Sequence, residues 1–298
     1  MCAYSPFHAI PSRQVRGVGK PVSAGSRACT ACVERVDTML RAFIFDVDGT
    51  LADTERVHLA AFNHAFEQEG LGWHWDEAHY TELLTISGGK ERMLHHWRQM
   101  NPELTDIGGA GVTDTLNRLH DIKTAFYERA VADGAVTLRP GVLRLMDEAL
   151  AAGIRLAIAT TTSPVNIAAL LRKAIGADWR MHFVAIGDAS TAPNKKPHPQ
   201  VYLQMLSALE LPAPDCLAFE DSANGLAAAS AAGLKTVVTP TSFTAHHDLG
   251  AALRVVPDLA AVSLAQLRAW HAERAPVPVG RRASRPAPSK AGKPMATR

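Results

Sequence analysis

What this 298-residue sequence has little of excludes several protein classes. It holds four cysteines, which give no disulfide framework in a chain of this size. Cys29 and Cys32 form one Cys-x-x-Cys, but no second pair or suitably spaced histidine accompanies it, so it is not a zinc or redox pattern. No apolar run is long enough to span a bilayer, and no internal repeat is present. The first 33 residues contain no Asp or Glu and are rich in Ser, Arg, Gly and Pro. With no long apolar run among them, they do not read as a secretory signal. The composition fits an organellar transit peptide, which would place the protein in a plastid, or a reading from upstream of the true start. Met39 opens the protein naturally on the second account, which we adopt, and the expected compartment is then the reducing cytoplasm.

Charge is scarce where it would be needed for nucleic acid. The net charge is +2, yet residues 1–38 carry five Lys/Arg against two acids and residues 272–298 carry seven against one. Those excesses of three and six, set against +2, leave −7 for residues 39–271. An acidic body with a local cationic cleft suits a small anionic substrate and a metal cation, with neither nucleic acid nor membrane as partner. Both ends, 1–38 and 271–298, read as disordered additions. With 47% hydrophobic residues, the part between them can bury a substantial core, and a monomer is expected.

What is there begins at Arg41-Ala42-Phe43-Ile44-Phe45-Asp46-Val47-Asp48-Gly49-Thr50-Leu51. An apolar stretch of this kind predicts a strand buried on both faces, and Gly49-Thr50 break it so that Asp46 and Asp48 fall at its carboxyl end. That end is where open α/β sheets bind ligands. Alone, Asp-x-Asp-Gly is equally a solvated strand end. An EF-hand calcium loop is disfavoured because Leu51 and Ala52 stand where further oxygen ligands are required.

Three downstream segments repeat the design. Arg155–Ala159 runs into Thr160-Thr161-Thr162-Ser163-Pro164, a strand ending in hydroxyls with Ser163 as N-cap and Pro164 at the first helical position. A helix start with such donors is an anion site or an ordinary cap. Phe183–Ile186 leads to Lys195-Lys196-Pro197, and Cys216–Phe219 leads to Glu220-Asp221-Ser222 before a helix ended by Gly233. Four strand ends thus supply two acids, hydroxyls, a lysine and two more acids. Aspartyl phosphoryl transfer with a hard cation requires that set.

In this order the motifs Asp46-Val47-Asp48-Gly49-Thr50, Thr160, Lys196-Pro197 and Glu220-Asp221 resemble those of the haloacid dehalogenase superfamily. The resemblance covers about residues 40–265. It implies an α/β fold: a Rossmann-like parallel sheet core, residues 39–53 and 138–270, with an inserted α-helical cap domain at 54–137. It also implies chemistry. Dehalogenases lack the second motif aspartate and the late acidic pair, so Asp48, Glu220 and Asp221 point to a magnesium-dependent phosphate enzyme. By resemblance, Asp46 is the nucleophile and Asp48 the acid and base. Mg²⁺ is held by Asp46, the Asp48 carbonyl and Asp221 with Glu220 close by, and the phosphoryl group by Thr160, Thr161 and Lys196.

The 54–137 insert itself shows apolar residues at helical spacing over Val57–Phe66 and again over Leu116–Ala132, at Leu119, Ile122, Ala125, Phe126 and Ala130. An insert placed directly after the first motif resembles the helical cap of the β-phosphoglucomutase-like branch. Within it, Ala52-Asp53-Thr54-Glu55-Arg56-Val57-His58, Tyr80 and Ser87-Gly88-Gly89-Lys90-Glu91-Arg92-Met93 look like the CbbY-type proteins. That likeness implies a sugar-phosphate phosphatase acting on xylulose 1,5-bisphosphate. Glu55, His58 and Tyr80 would meet the sugar, and Gly89, Lys90 and Arg92 the distal phosphate. On residue type alone, Lys90 and Arg92 are also readable as a solvated helix face, and His58 as packing. A β-phosphoglucomutase-type mutase shares nearly all of these residues. A phosphonate hydrolase would need a cap lysine in the cleft, for which Lys90 is the candidate, and a silent binding module would have lost an acid or the lysine.

Overall fold

The computed structural model describes residues 39–103 and 108–273. The expectations for residues 1–38, for Cys29 and Cys32 and for most of 271–298 lie outside that range. Six strands, β1 (Ala42–Phe45), β2 (Arg155–Ala159), β3 (Ala185–Gly187), β4 (Cys216–Glu220), β5 (Lys235–Val238) and β6 (Arg254–Val255), form one parallel sheet in the order β3-β2-β1-β4-β5-β6. Between β1 and β2 lie α1 (Glu55–Gln68), α2 (Glu77–Leu83), α3 (Gly89–Met100), α4 (Ala110–Ala132) and α5 (Val142–Ala151). The remaining helices are α6 (Pro164–Ile175), α7 (Gln200–Leu209), α8 (Ala223–Ala231) and α9 (Leu264–Ala272). Because α9 reaches Ala272 and His271 is buried, residues 271 and 272 belong to the folded part rather than to the tail.

Strand alternation sorts the core. Phe43 and Phe45 turn to one side, where α5, α6 and α9 bury Leu145, Leu170 and Leu267. Ala42 and Ile44 turn to the other, under Val201 and Tyr202 of α7 and Ala228 of α8. Phe45 and Phe219 stack at 4.6 Å between adjacent strands. Both faces of β1 are therefore sealed from water, as its sequence predicts. Ser163 caps α6 with Pro164 at its first position, also as predicted. Cys216 opens β4 and is buried.

A separate apolar cluster lies among the first four helices: Phe62, Phe66, Trp75, Tyr80, Met93, Leu116 and Leu119, joined by Phe243 from the loop after β5. The buried stripe of α4 is Val112, Leu116, Leu119, Lys123, Tyr127 and Val131. The sequence-predicted stripe shares only Leu119 with it: Ala125 is exposed and Ile122, Phe126 and Ala130 are half-buried. Reading only apolar letters rotated the helix, because a lysine and a tyrosine occupy its inner face. One end of α4 packs in the insert cluster, and the other, through Tyr127 and Val131, in the sheet cluster. No described helix is long and apolar enough to cross a membrane.

Candidate active site

The strands end at one level, and the residues after them converge. The Asp46 N–H donates to Phe219 O of β4 (3.0 Å), the Thr160 N–H to Gly187 O of β3 (3.0 Å) and the Thr239 N–H to Glu220 O (2.8 Å). Lys196 arrives on the loop after β3. That loop is fixed where Asp188 Oδ1 accepts from the N–H groups of Ser190 and Thr191, and the Lys196–Pro197 peptide is cis. Lys196 Nζ donates to Asp46 Oδ1 at 2.7 Å and to Glu220 Oε1 at 2.6 Å. Tyr202 OH donates to the same Glu220 oxygen. All four side chains are buried.

Carboxylate oxygens of Asp46, Glu220 and Asp221 lie within 4.8 Å of one another. Glu220 Oε2 is buried with no hydrogen-bond partner. Three carboxylates against one ammonium leave two negative charges, which suits a divalent cation with oxygen ligands. Burial, reinforced by Glu220 and only partly offset by Lys196, pushes the Asp46 carboxyl up to about 7. Burial, with Asp46 and Glu220 beside it, raises Asp221 well above the carboxylate range. Lys196 is lowered by burial, but the two acids it binds more than offset this and hold it above the ordinary lysine value. Gly49 makes the cluster possible. Its φ is +79°, and a Cβ there would sit 2.3 Å from Asp221 Oδ2, so no side chain is tolerated.

Asp48 stands apart from this cluster. Its Oδ1 accepts from Thr54 Oγ1 (2.7 Å) and from His58 Nε2 (3.0 Å). His58 Nδ1 in turn accepts from Lys123 Nζ at 2.9 Å. An ammonium only donates, so Nδ1 carries no proton and the imidazole proton sits on Nε2, aimed at Asp48. The His58 ring stacks on Tyr127 at 4.5 Å, which fixes its plane. Burial alone would raise the Asp48 carboxyl, but His58, Thr54 and Lys123 hold it below the usual carboxylate range. Burial lowers Lys123 to about 8, against the pull of Asp48.

These groups face a cleft of about 460 Å³ between the strand ends and the helical insert. Glu55, His58, Gly89, Lys90, Arg92 and Thr161 all line it. Tyr80 does not: it is fully buried and reaches the cleft through Glu55, whose Oε2 accepts its hydroxyl proton at 2.7 Å. Arg92 lines the cleft with much of its guanidinium engaged, donating to Leu83 O, Ile86 O and Tyr80 OH. Lys90 donates to Asn117 Oδ1 across to α4.

Sequence reasoning missed four participants. Lys123 is one; its signal was a lysine in step with Leu119, Tyr127 and Val131 on a helix. Lys195 lies 3.6 Å from Glu91 of α3, and Asn224 donates to Thr85 O at 2.9 Å, so both tie the sheet side to the insert. The fourth, Arg139, carried no local signal beyond preceding Pro140-Gly141. The adjacent rings of His246 and His247 meet edge to face at 4.6 Å. Among the described residues, Asp46, Glu220 and Asp221 are the one group suited to a metal.

A family model described as haloacid dehalogenase-like hydrolase matches residues 40–233. The plasmid CbbY protein of Cupriavidus necator is 52% identical over 248 residues, covering 78% of this chain and 97% of that one. A crystal structure of a CbbY mutant from Rhodobacter sphaeroides in complex with xylulose 1,5-bisphosphate aligns with TM-score 0.71 and 41% identity, over 77% of this chain and 99% of the other. The β-phosphoglucomutase of Clostridium difficile aligns with TM-score 0.63 at 21% identity, over 78% and 97% of the two chains, a likeness of fold alone. With the sheet, the motif residues and a relative that is half identical in agreement, the chain belongs to the haloacid dehalogenase-like hydrolases.

Proposed function

We propose that this hydrolase is a magnesium-dependent phosphatase that acts through an aspartyl-phosphate on a small sugar bisphosphate, xylulose 1,5-bisphosphate before others, and releases xylulose 5-phosphate. The observation that carries the reading is the pairing of two carboxylates in opposite electrostatic settings at one strand end. Asp46 touches Lys196 among the acids, and Asp48 touches Thr54 and His58. The carboxylate inside the acid cluster, which a bound cation would keep ionised, suits the nucleophile, and the one outside it, on Thr54 and His58, suits proton transfer. The cleft's far wall, with Lys90 and the start of α3, supports a second anionic group on the substrate.

Asp46 Oδ attacks phosphorus, and the bond from phosphorus to the sugar oxygen breaks as that oxygen takes a proton from Asp48, which must enter this step protonated and regains its proton in the next. Water then attacks the aspartyl-phosphate while Asp48 takes its proton. The phosphorus–Asp46 bond breaks, and inorganic phosphate leaves. Lys196, Thr160 and Thr161 hold the phosphoryl oxygens and bear the charge that develops on them. Asp46, Asp221, Glu220 and the Asp48 carbonyl would hold Mg²⁺. When bound, the ion neutralises the repulsion between a carboxylate nucleophile and a phosphate dianion. Glu55, held by Tyr80, and His58 face the sugar. Residues 54–137 act as the cap that excludes water.

Phosphate release with Mg²⁺ from xylulose 1,5-bisphosphate, ribulose 1,5-bisphosphate and β-glucose 1-phosphate, with Asp46→Asn as control, tests this. Selective turnover of the xylulose compound, lost in Asp46→Asn, is expected. Equal release from all three, or none, overturns the substrate assignment. Isomerised glucose phosphate in place of free phosphate would mark a mutase.

A further inference from the structure

The structure assigns Arg139 as a positioning residue that couples the hinge of the helical insert to the turn carrying the nucleophile; the inference rests on the phosphatase reading above. The chain leaves the sheet side through Leu51 and Ala52 and returns through Leu138 and Arg139. The two crossings are joined by a bridge between Ala52 and Leu138 and by the Arg139 N–H, which donates to Leu51 O at 2.8 Å. The guanidinium of the same residue then reaches back to the motif turn. Nη1 donates to Gly49 O, to Thr239 O and to Thr239 Oγ1 (3.0 Å), and Nη2 to Pro240 O (3.1 Å) and Pro257 O (2.9 Å).

Those carbonyls come from three different segments. Gly49 belongs to the tight turn in which the Gly49 N–H donates to Ala52 O and the N–H groups of Thr50 and Leu51 to Val47 O. Thr239 follows β5 and is itself tied to Glu220 O at the end of β4. Pro257 lies just beyond β6. One planar fork therefore fixes the turn that holds Asp46 and Asp48 to the ends of β4, β5 and β6. Its backbone is meanwhile part of the hinge. A displacement at the return crossing moves the guanidinium, and with it the Gly49 carbonyl between Asp48 and Thr50. A lysine cannot substitute, because a single ammonium cannot reach several carbonyls laid out for a flat, five-donor group. Arg139 does not line the cleft, so its loss should act on turnover rather than on binding.

The test is steady-state kinetics of Arg139→Lys and Arg139→Ala on the full chain with Mg²⁺, each rate divided by the folded fraction from circular dichroism. Hydrogen exchange over residues 46–54 is measured alongside. A displaced nucleophile of this kind is expected to lower kcat ~100-fold, with KM within about threefold of the parent and faster exchange at 49–52. Added guanidinium should restore part of the Arg139→Ala rate. Parental kcat in Arg139→Lys, or a loss fully accounted for by the unfolded fraction, would overturn the assignment. If Arg139→Ala does not fold, Arg139→Lys alone decides. A parent enzyme with no turnover would sink the phosphatase reading, while the exchange data would still judge the tie between hinge and turn.

Discussion

Asp48 is governed by a residue 75 positions away in sequence. Lys123 Nζ on His58 Nδ1 sets the ring's tautomer, and His58 sets the charge state of Asp48. Lys123→Met keeps the stem and removes the donor, leaving the imidazole free to turn and Asp48 with less positive charge nearby. The Asp48 carboxyl then rises from its depressed value, so the alkaline limb of kcat/KM, set by loss of the proton that Asp48 donates to the leaving oxygen, moves to higher pH. Because general acid–base catalysis is worth ~100-fold or more, kcat should fall by about that factor. A pH–rate profile of the variant reads both; an unmoved limb would deny the relay. At this scale the convergence of the acids and the lysine was legible in the sequence. Asp46, Asp48, Glu220 and Asp221 stand at the ends of apolar strands and Lys196 on the loop after β3, and it was their order along the chain that made the set readable. Lys123 was not, since a lysine within a helical repeat reads as a surface charge until the helix is placed.

At the scale of elements, Arg92 illustrates a residue whose type invites a ligand role and whose surroundings give it another. It is buried on α3 and donates to the carbonyl of Leu83 at the end of α2, to that of Ile86 in the following turn and to Tyr80. It also lies 5.2 Å from the Tyr80 ring centroid. Arg92→Leu leaves the carbonyls of Leu83 and Ile86 without their donor, and should cost about 3 kcal/mol of stability at 1–3 kcal/mol per orphaned buried group. Urea unfolding measures it; unchanged stability with a raised KM would mean that the side chain serves the substrate instead. The strands and the starts of α6 and α8 followed from local patterns, because a buried strand and a capped helix are written in neighbouring residues. The inner face of α4 was not, because its polar members are buried by a cleft that forms only when distant segments meet.

For the molecule as a whole, the acid cluster makes stability depend on pH in a direction opposite to that of ordinary paired carboxylates. Asp46 is raised from 3.8 to about 7, so without metal the folded state keeps a proton that the unfolded chain has already lost. Stability must fall as pH rises from about 4 to about 7. Asp48, lowered by its partners, contributes stability above its unfolded value and loses it only as pH falls below that value. With EDTA, Tm should decline across that window. Saturating Mg²⁺ should flatten the decline, and its addition near pH 6.5 should release protons, measurable by calorimetry in two buffers. No metal-dependent change in the slope would contradict the cation site.

Helix α4 gives these parts unequal freedom. It is a single rod of 23 residues, about 34 Å long at 1.5 Å per residue, anchored in the sheet cluster at Tyr127 and Val131. A rigid rod held there has the geometry of a lever whose fulcrum lies beside Lys123 and His58. A tilt of about 5° at Tyr127 displaces Asn117, about 15 Å along the axis, by about 1.3 Å, yet moves Lys123, about 6 Å along, by only about 0.5 Å. A pivot of this kind would carry the Asn117–Lys90 contact outward while leaving the Lys123–His58–Asp48 hydrogen bonds nearly in place.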